Sequence, residues 1–234
     1  VKTNKFNNQI ISQIKQIEPN LEINLNEVSA SLDPLNFEIN AKTIGTDLIY
    51  RNKIIKIETI KSKISLKSFF KKEFALSKIS VSTKSLAIND LVAFIRLFNN
   101  NPKLFILEQL IEKGYIVADV NLEFDEAGKL KDNFKINGLI NDGQISFFKK
   151  YNLKKIDFDF EIYKKNLKLN DIKLSLNNKN ILIPRIMASD QSGEYFISGK
   201  LITKNLIISE DDIKKLINKK ILDLDIYEAF LNTE

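Results

Sequence analysis

The chain has 234 residues, 44% of them hydrophobic, enough to bury a sizeable core in one large β domain or two smaller ones. Its net charge of +6 comes almost wholly from lysine, since only Arg51, Arg96 and Arg185 are arginine, and acids such as Asp157 and Asp159 interrupt the positive charge, which argues against nucleic acid as a partner. Cysteine and histidine are absent, which excludes a disulfide scaffold, thiol and histidine nucleophiles, and the usual ligands of zinc and redox metals, while leaving the compartment open. The joint abundance of lysine, asparagine, isoleucine and phenylalanine is also what an AT-rich genome imposes, so the basic pI carries little functional weight.

Phe6, Ile10, Ile14 and Ile17 recur at helical spacing, so residues 4 to 18 are predicted to form an amphipathic helix closed by Pro19 and Asn20. Its polar face holds only Lys5 and Lys15 as cations, which favours packing on a sheet over lying on a membrane. Leu21, Ile23 and Leu25, then Leu35, Phe37 and Ile39, alternate with polar residues around Asp33-Pro34 and read as two strands; Gly45 within Thr43 to Asp47 reads as another turn.

Ile54 to Ile88 is predicted as strand, short helix or turn over Lys67 to Lys72, and strand. Ile55 and Ile57 stand on one parity and Ile60, Ile64 and Leu66 on the other, as do Ile79 and Val81 against Leu86 and Ile88. A bulge or bend near Glu58-Thr59 would keep the apolar set on one face. Asn89-Asp90 then caps a helix, Pro102 opens a second one over 102 to 113, and Gly114 ends it as a left-handed cap. This pair is apolar nearly all round, so it is buried or faces lipid or a partner, as a lid or end cap.

Ile116, Ala118, Val120, Leu122 and Phe124 alternate with polar residues, and Glu126 to Lys129 is the turn into a return strand, Leu130 to Ile136. Gly138 marks a bend and Asn141-Asp142-Gly143 a hairpin. Ile156, Phe158, Phe160 and Ile162 against Asp157, Asp159, Glu161 and Tyr163 give the cleanest strand pattern, followed by Leu167 to Leu176, a turn at 177–180, and a strand through Ile181 to Met187 whose Pro184 belongs at an edge or bulge. A last strand pair runs through Tyr195, Ile197, Leu201 and Ile207, and a helix starts near Ser209. The expected organisation is a helix and β-meander over 1–88, a helical insert over 89–114, a repeating antiparallel sheet over 115–208 and a helical segment over 209–234, within one continuous domain. No run approaches the ~20 apolar residues of a membrane-spanning helix. With Val1 as first residue, the expectation is a start inside a longer protein or after processing, which leaves room for an anchoring segment upstream.

Asp157, Asp159 and Glu161 share a strand face and are the one enzymatic arrangement on offer. Acids at every second position are also the wet face of a half-buried strand, with Lys154 and Lys168 near enough to neutralise them, and no phosphate loop, nucleophile elbow or metal cluster accompanies them. The reading is therefore of a non-enzyme without cofactor. The phenylalanine stripe at strand spacing is either a closed core or a groove for acyl chains, since both need the same alternation.

Val28, Ser31, Pro34, Leu35, Phe37 and Ile39, followed by IKIETIKSKISLKSFFKKEFALSKISV, resemble the N-terminal part of the AsmA-like envelope proteins, whose relatives include TamB and YhdP. FKINGLINDGQISFFKKYNLKKIDFDFEI and ISGKLITKNLIIS are similar to the repeating strand pairs of that family. The resemblance covers residues 5 to 95 closely and 115 to 208 loosely; it does not account for the helix pair. It implies a mainly β fold with α, a long curved antiparallel sheet forming a groove. It also implies a periplasmic protein held to the inner membrane by an upstream helix, which holds or conducts phospholipid towards the outer membrane with envelope proteins as possible partners. Ile116, Val120, Leu122, Phe124, Ile156, Phe158, Phe160 and Ile162 would line the groove. The alternative is a β scaffold, such as a closed sandwich, that serves envelope assembly by contact alone.

Overall fold

Runs in which apolar and polar residues alternate form strands here, and most of them are long. The computed structural model describes residues 2–3, 11, 19–26, 28–50, 53–71, 76–98, 102–147, 151–176, 179–191 and 194–203. Of the helix predicted at 4–18 only Ile11 is described, and it is helical; the rest of it and the helix predicted beyond Ser209 lie outside the described residues. The strands are β1 (Lys2–Thr3), β2 (Leu21–Asn24), β3 (Val28–Asp33), β4 (Glu38–Tyr50), β5 (Lys53–Ser65), β6 (Leu76–Thr83) and β7 (Leu86–Ala87), then β8 (Ile111–Glu123), β9 (Lys135–Phe147), β10 (Tyr151–Tyr163), β11 (Asn166–Leu176), β12 (Lys179–Gln191) and β13 (Glu194–Thr203). Three helices whose bounds lie within the described residues interrupt them: α1 (Leu66–Phe70), α2 (Ile88–Phe98) and α3 (Pro102–Leu110).

All thirteen strands join one antiparallel sheet in the order β1-β3-β4-β5-β6-β8-β9-β10-β11-β12-β13, with β2 beside β4 and β7 beside β8. The path is open, ending at β1 and β13. Six strands are 13 residues long, about 43 Å each at ~3.3 Å per residue. All pairs are antiparallel; consecutive neighbours such as β4–β5 and β9 to β13 are hairpins with short connections, whereas β6 and β8 are joined through β7, α2 and α3.

Several strands are long because residues with turn chemistry sit inside them. Gly45, predicted as a turn, has φ 70 within β4, opposite Glu58 of β5, and β5 shifts register against β6 between Ile57 and Thr59. The bulge expected near Glu58 is therefore present. It returns Ile57 and Ile60, three residues apart, to one face, and on β4 it brings the Thr43 and Thr46 hydroxyls to 3.5 Å. Asn26, in the gap between β2 and β3, fastens this point by donating to the carbonyls of Ile44 (3.0 Å) and Gly45 (2.9 Å).

The same device recurs across the sheet. Gly114 (φ 141) lies inside β8, Asp142 (φ 50) inside β9, Lys155 (φ 51) inside β10 and Asp171 (φ 51) inside β11, opposite Pro184 of β12. Pro184 thus sits at a bulge, where its missing N–H leaves no ladder bond unmade. The hairpin predicted at 141–143 and the bend at Gly138 are not formed, because β9 runs through both. The predicted return strand from Leu130 is reduced to a single bridge between Phe124 and Leu130, and β9 starts at Lys135.

Two expectations about the helices also change. α3 ends at Leu110, not 113, because Ile111 is already a buried strand residue facing Ile145; Gly114 is a bulge and not a helix cap. A side chain at Gly114 would approach Ile88 Cδ1 to 2.7 Å and Gly143 Cα to 3.0 Å, so two backbones meet there. α2 begins at Ile88, and Asn89 does not cap it but donates from Nδ2 to the carbonyl of Ile111 at 3.0 Å.

The best-buried core lies under α2. Ile55, Ile57 and Leu86 are buried, with Leu48, Ile60, Val81, Leu91, Phe94 and Ile116 packed against them, and Phe94 meets Tyr50 edge-on at 6.4 Å. Burying such side chains stabilises by about 1.5–3 kcal/mol each. The helix pair therefore caps one end of one sheet face. It is not wholly buried, for Phe105 and Ile106 of α3 are exposed, with Arg96 over the Phe105 ring at 4.9 Å and paired to Glu108.

Candidate functional site: the apolar face of the sheet

Side chains of antiparallel Cα partners project to the same face, so the register tells which residues meet. Ile116 of β8 faces Ile140 of β9, which faces Phe158 of β10. One step along, Ala118 faces Gly138, which faces Phe160; two residues further, Val120 faces Ile136, which faces Ile162. Leu122 continues the β8 row opposite Ile79 of β6, and Phe124 follows it at the strand end, its N–H bonded to the carbonyl of Ser77 at 3.0 Å. Ile156, beyond the ladder irregularity, faces Gly143 and is buried.

All eight predicted residues thus fall on one sheet face, seven of them half-buried. Ile116 belongs to the core under α2, whereas Val120, Leu122, Phe158, Phe160 and Ile162 lie outside that cluster. Sequence reasoning missed the residues of β9 that join the two predicted rows, namely Ile136, Gly138 and Ile140. Their alternation was visible, but Gly138 was assigned to a bend. It is a seat for Phe160, whose ring atom Cζ would lie 2.6 Å from a Cβ there. Phe158 and Phe160 meet edge-on at 6.5 Å.

The face extends beyond β10. Phe160 faces Leu169, which faces Ile186, and Ile162 faces Leu167, which faces Ala188, opposite Ile197 of β13. Because the Asp171–Pro184 irregularity affects both strands, Ile172 and Ile183 return to this face, and Leu174 pairs Ile181 beyond them.

The opposite face carries the polar partners. Asp157 accepts the backbone N–H of Asp142 at 2.7 Å and so stitches a bulge. Glu161 pairs with Lys135 at 3.1 Å, with Lys168 opposite it in register; Lys154, expected to neutralise these acids, faces Ser175 on the far side of the Lys155 irregularity. Asp157 and Glu161 thus serve neighbouring strands, Asp159 is exposed beside them, and the three acids do not converge on a pocket. No group of acids able to hold a metal occurs among the described residues, and no helix among them is long and apolar enough to cross a membrane.

No family model, curated protein or solved structure matches this chain.

Proposed function

We propose that the protein is a non-enzymatic, AsmA-like envelope component whose apolar sheet face holds or conducts phospholipid acyl chains. In this reading the chain works in the periplasm between inner and outer membrane, anchored by an upstream segment. The supporting observation is the unbroken apolar ladder from β8 to β12, set out in register by Val120, Ile136, Ile162, Leu167 and Ala188. Recurrent bulges support it too, since each bends a strand and raises its twist, and a row of them curls a sheet into a trough with this face inside. Acyl transfer needs no catalytic group. Each CH₂ removed from water recovers about 0.8 kcal/mol, which holds a chain while its headgroup stays wet.

Photocrosslinking in cells tests the reading. A benzoylphenylalanine at Phe160 should capture lipid detectable by mass spectrometry, and one at Asp159, on the opposite face, should not. Lipid at neither position, or at both equally, sinks the proposal. It would leave the second reading, a β scaffold that acts by contact alone.

A further inference from the structure

The lower end of the N-terminal strands carries an apolar tip that neither the sheet core nor the groove reading uses. The β3–β4 hairpin turns through Asp33, whose carboxylate accepts the N–H of Asn36 at 3.2 Å and its Nδ2 at 2.9 Å. This closed turn leaves Leu35 96% and Leu32 62% exposed. Phe37 is held at φ 55, a left-handed conformation that disfavours bulky side chains, yet its ring is 57% exposed. The carbonyl of Phe37 accepts the N–H of Leu66 at 2.9 Å, which docks α1 beside the turn and sets Phe70, 71% exposed, at the same end. Lys67 and Lys71 of α1 are exposed next to it.

The polar sheet face behind this tip is basic. Lys42 stands directly opposite Lys61, and Lys63 directly opposite Lys78, around a hollow of about 500 Å³ whose other walls include Ser29, Ser31 and Asn40. Glu38 pairs with Lys63 and Glu123 with Lys78, but Lys42 and Lys61 have no ion pair among the described residues. Like charges directly opposite each other on a sheet repel, and an anionic partner relieves that repulsion. Lys61 lies four residues from the end of β5, about 13 Å from the tip at ~3.3 Å per residue.

We propose that this end of the sheet docks on an anionic bilayer surface, with Leu35, Phe37 and Phe70 entering the headgroup boundary and Lys42, Lys61 and Lys67 facing the lipid phosphates. Exposed apolar side chains beside cations are the two components of interfacial membrane binding. The Asp33–Asn36 hydrogen bonds close the turn that presents these apolar side chains. Docking is independent of acyl-chain binding by the apolar face, so either reading can fail without the other.

The test is flotation of the full chain with phosphatidylcholine vesicles, plain or mixed with phosphatidylglycerol. The wild type should float with the mixed vesicles, only weakly with the plain ones, and less as salt rises. Leu35→Ser with Phe37→Asn, exposed positions where asparagine suits the left-handed backbone, should abolish flotation while circular dichroism stays unchanged. Lys42→Gln with Lys61→Gln should weaken binding about 20- to 30-fold, at about fivefold per lysine. A wild type that ignores anionic lipid, or tip variants that float like it, would overturn the proposal.

Discussion

The ring of Phe160 fills the space that any side chain at Gly138 would need, with Val117 O only 2.2 Å from where a Cβ would stand. Glycine there is a packing requirement and not a turn. Gly138→Ala should force the β8–β9–β10 ladder apart locally and destabilise the protein by about 1–3 kcal/mol, as overpacked sites do. Urea denaturation would measure it, and an unchanged midpoint would mean that both the ring and the β8 backbone at Val117 move aside freely. The double change Gly138→Ala with Phe160→Leu should recover part of the loss.

Asp157 and Asp159 sit two residues apart on one strand face but differ in what they hold. Asp157→Ala removes the acceptor for the Asp142 N–H and should lower stability by about 1–2 kcal/mol. Asp159→Ala should stay within about 0.5 kcal/mol, as ordinary surface changes do. Equal effects in thermal melts would refute the assignment of Asp157 as the fastener of the β9 bulge.

Asn133 donates to Glu123 at 2.7 Å, and chiefly for that reason, with Lys78 assisting against desolvation, the Glu123 carboxyl titrates below its ordinary value of 4.5. A carboxyl depressed by folding stabilises the folded state above its ordinary value, and that contribution is lost as pH falls through the folded value. It is therefore complete at neutral pH and drains away below about pH 4.5. In an NMR titration of side-chain carboxyls, Asn133→Ala should move the Glu123 midpoint upward. A stationary midpoint would show that another group sets it.

The Lys42–Lys61 pair sets stability against the proposed docking. Lys61→Glu turns a repulsive cross-strand pair into an attractive one and should stabilise by about 0.2–1 kcal/mol. The same variant should lose affinity for anionic vesicles. A gain in melting temperature together with full vesicle binding would separate the two roles.

Much of the sheet could be read from alternation, because period-two patterns report which face is wet wherever they occur. The Phe158–Phe160 stripe and the bulge or bend near Glu58 followed from it, and the break over Lys67 to Lys72, read as helix or turn, became the helix Leu66–Phe70. Gly45, Asn141-Asp142-Gly143 and Gly114 were misassigned for one physical reason. A left-handed residue is demanded equally by a hairpin turn, a helix cap and a bulge, and what separates these is whether the chain beyond it finds the same neighbour. That neighbour lies on another strand, out of reach of local pattern. The joining role of Ile136, Gly138 and Ile140 was hidden with it, and the apolar ladder was legible only as two separate rows.

Among the described residues, each strand from β9 to β12 pairs solely with the strand before it and the strand after it in the chain, and β13 pairs with β12. Such a sheet can assemble by zipping, hairpin upon hairpin, with no strand waiting on a distant partner and only short loops to close. Its stability then approximates a sum of nearest-neighbour interfaces. Removing two successive strands would shorten it by one hairpin without re-pairing the rest, so the reach of the apolar face is a length that evolution can change in steps.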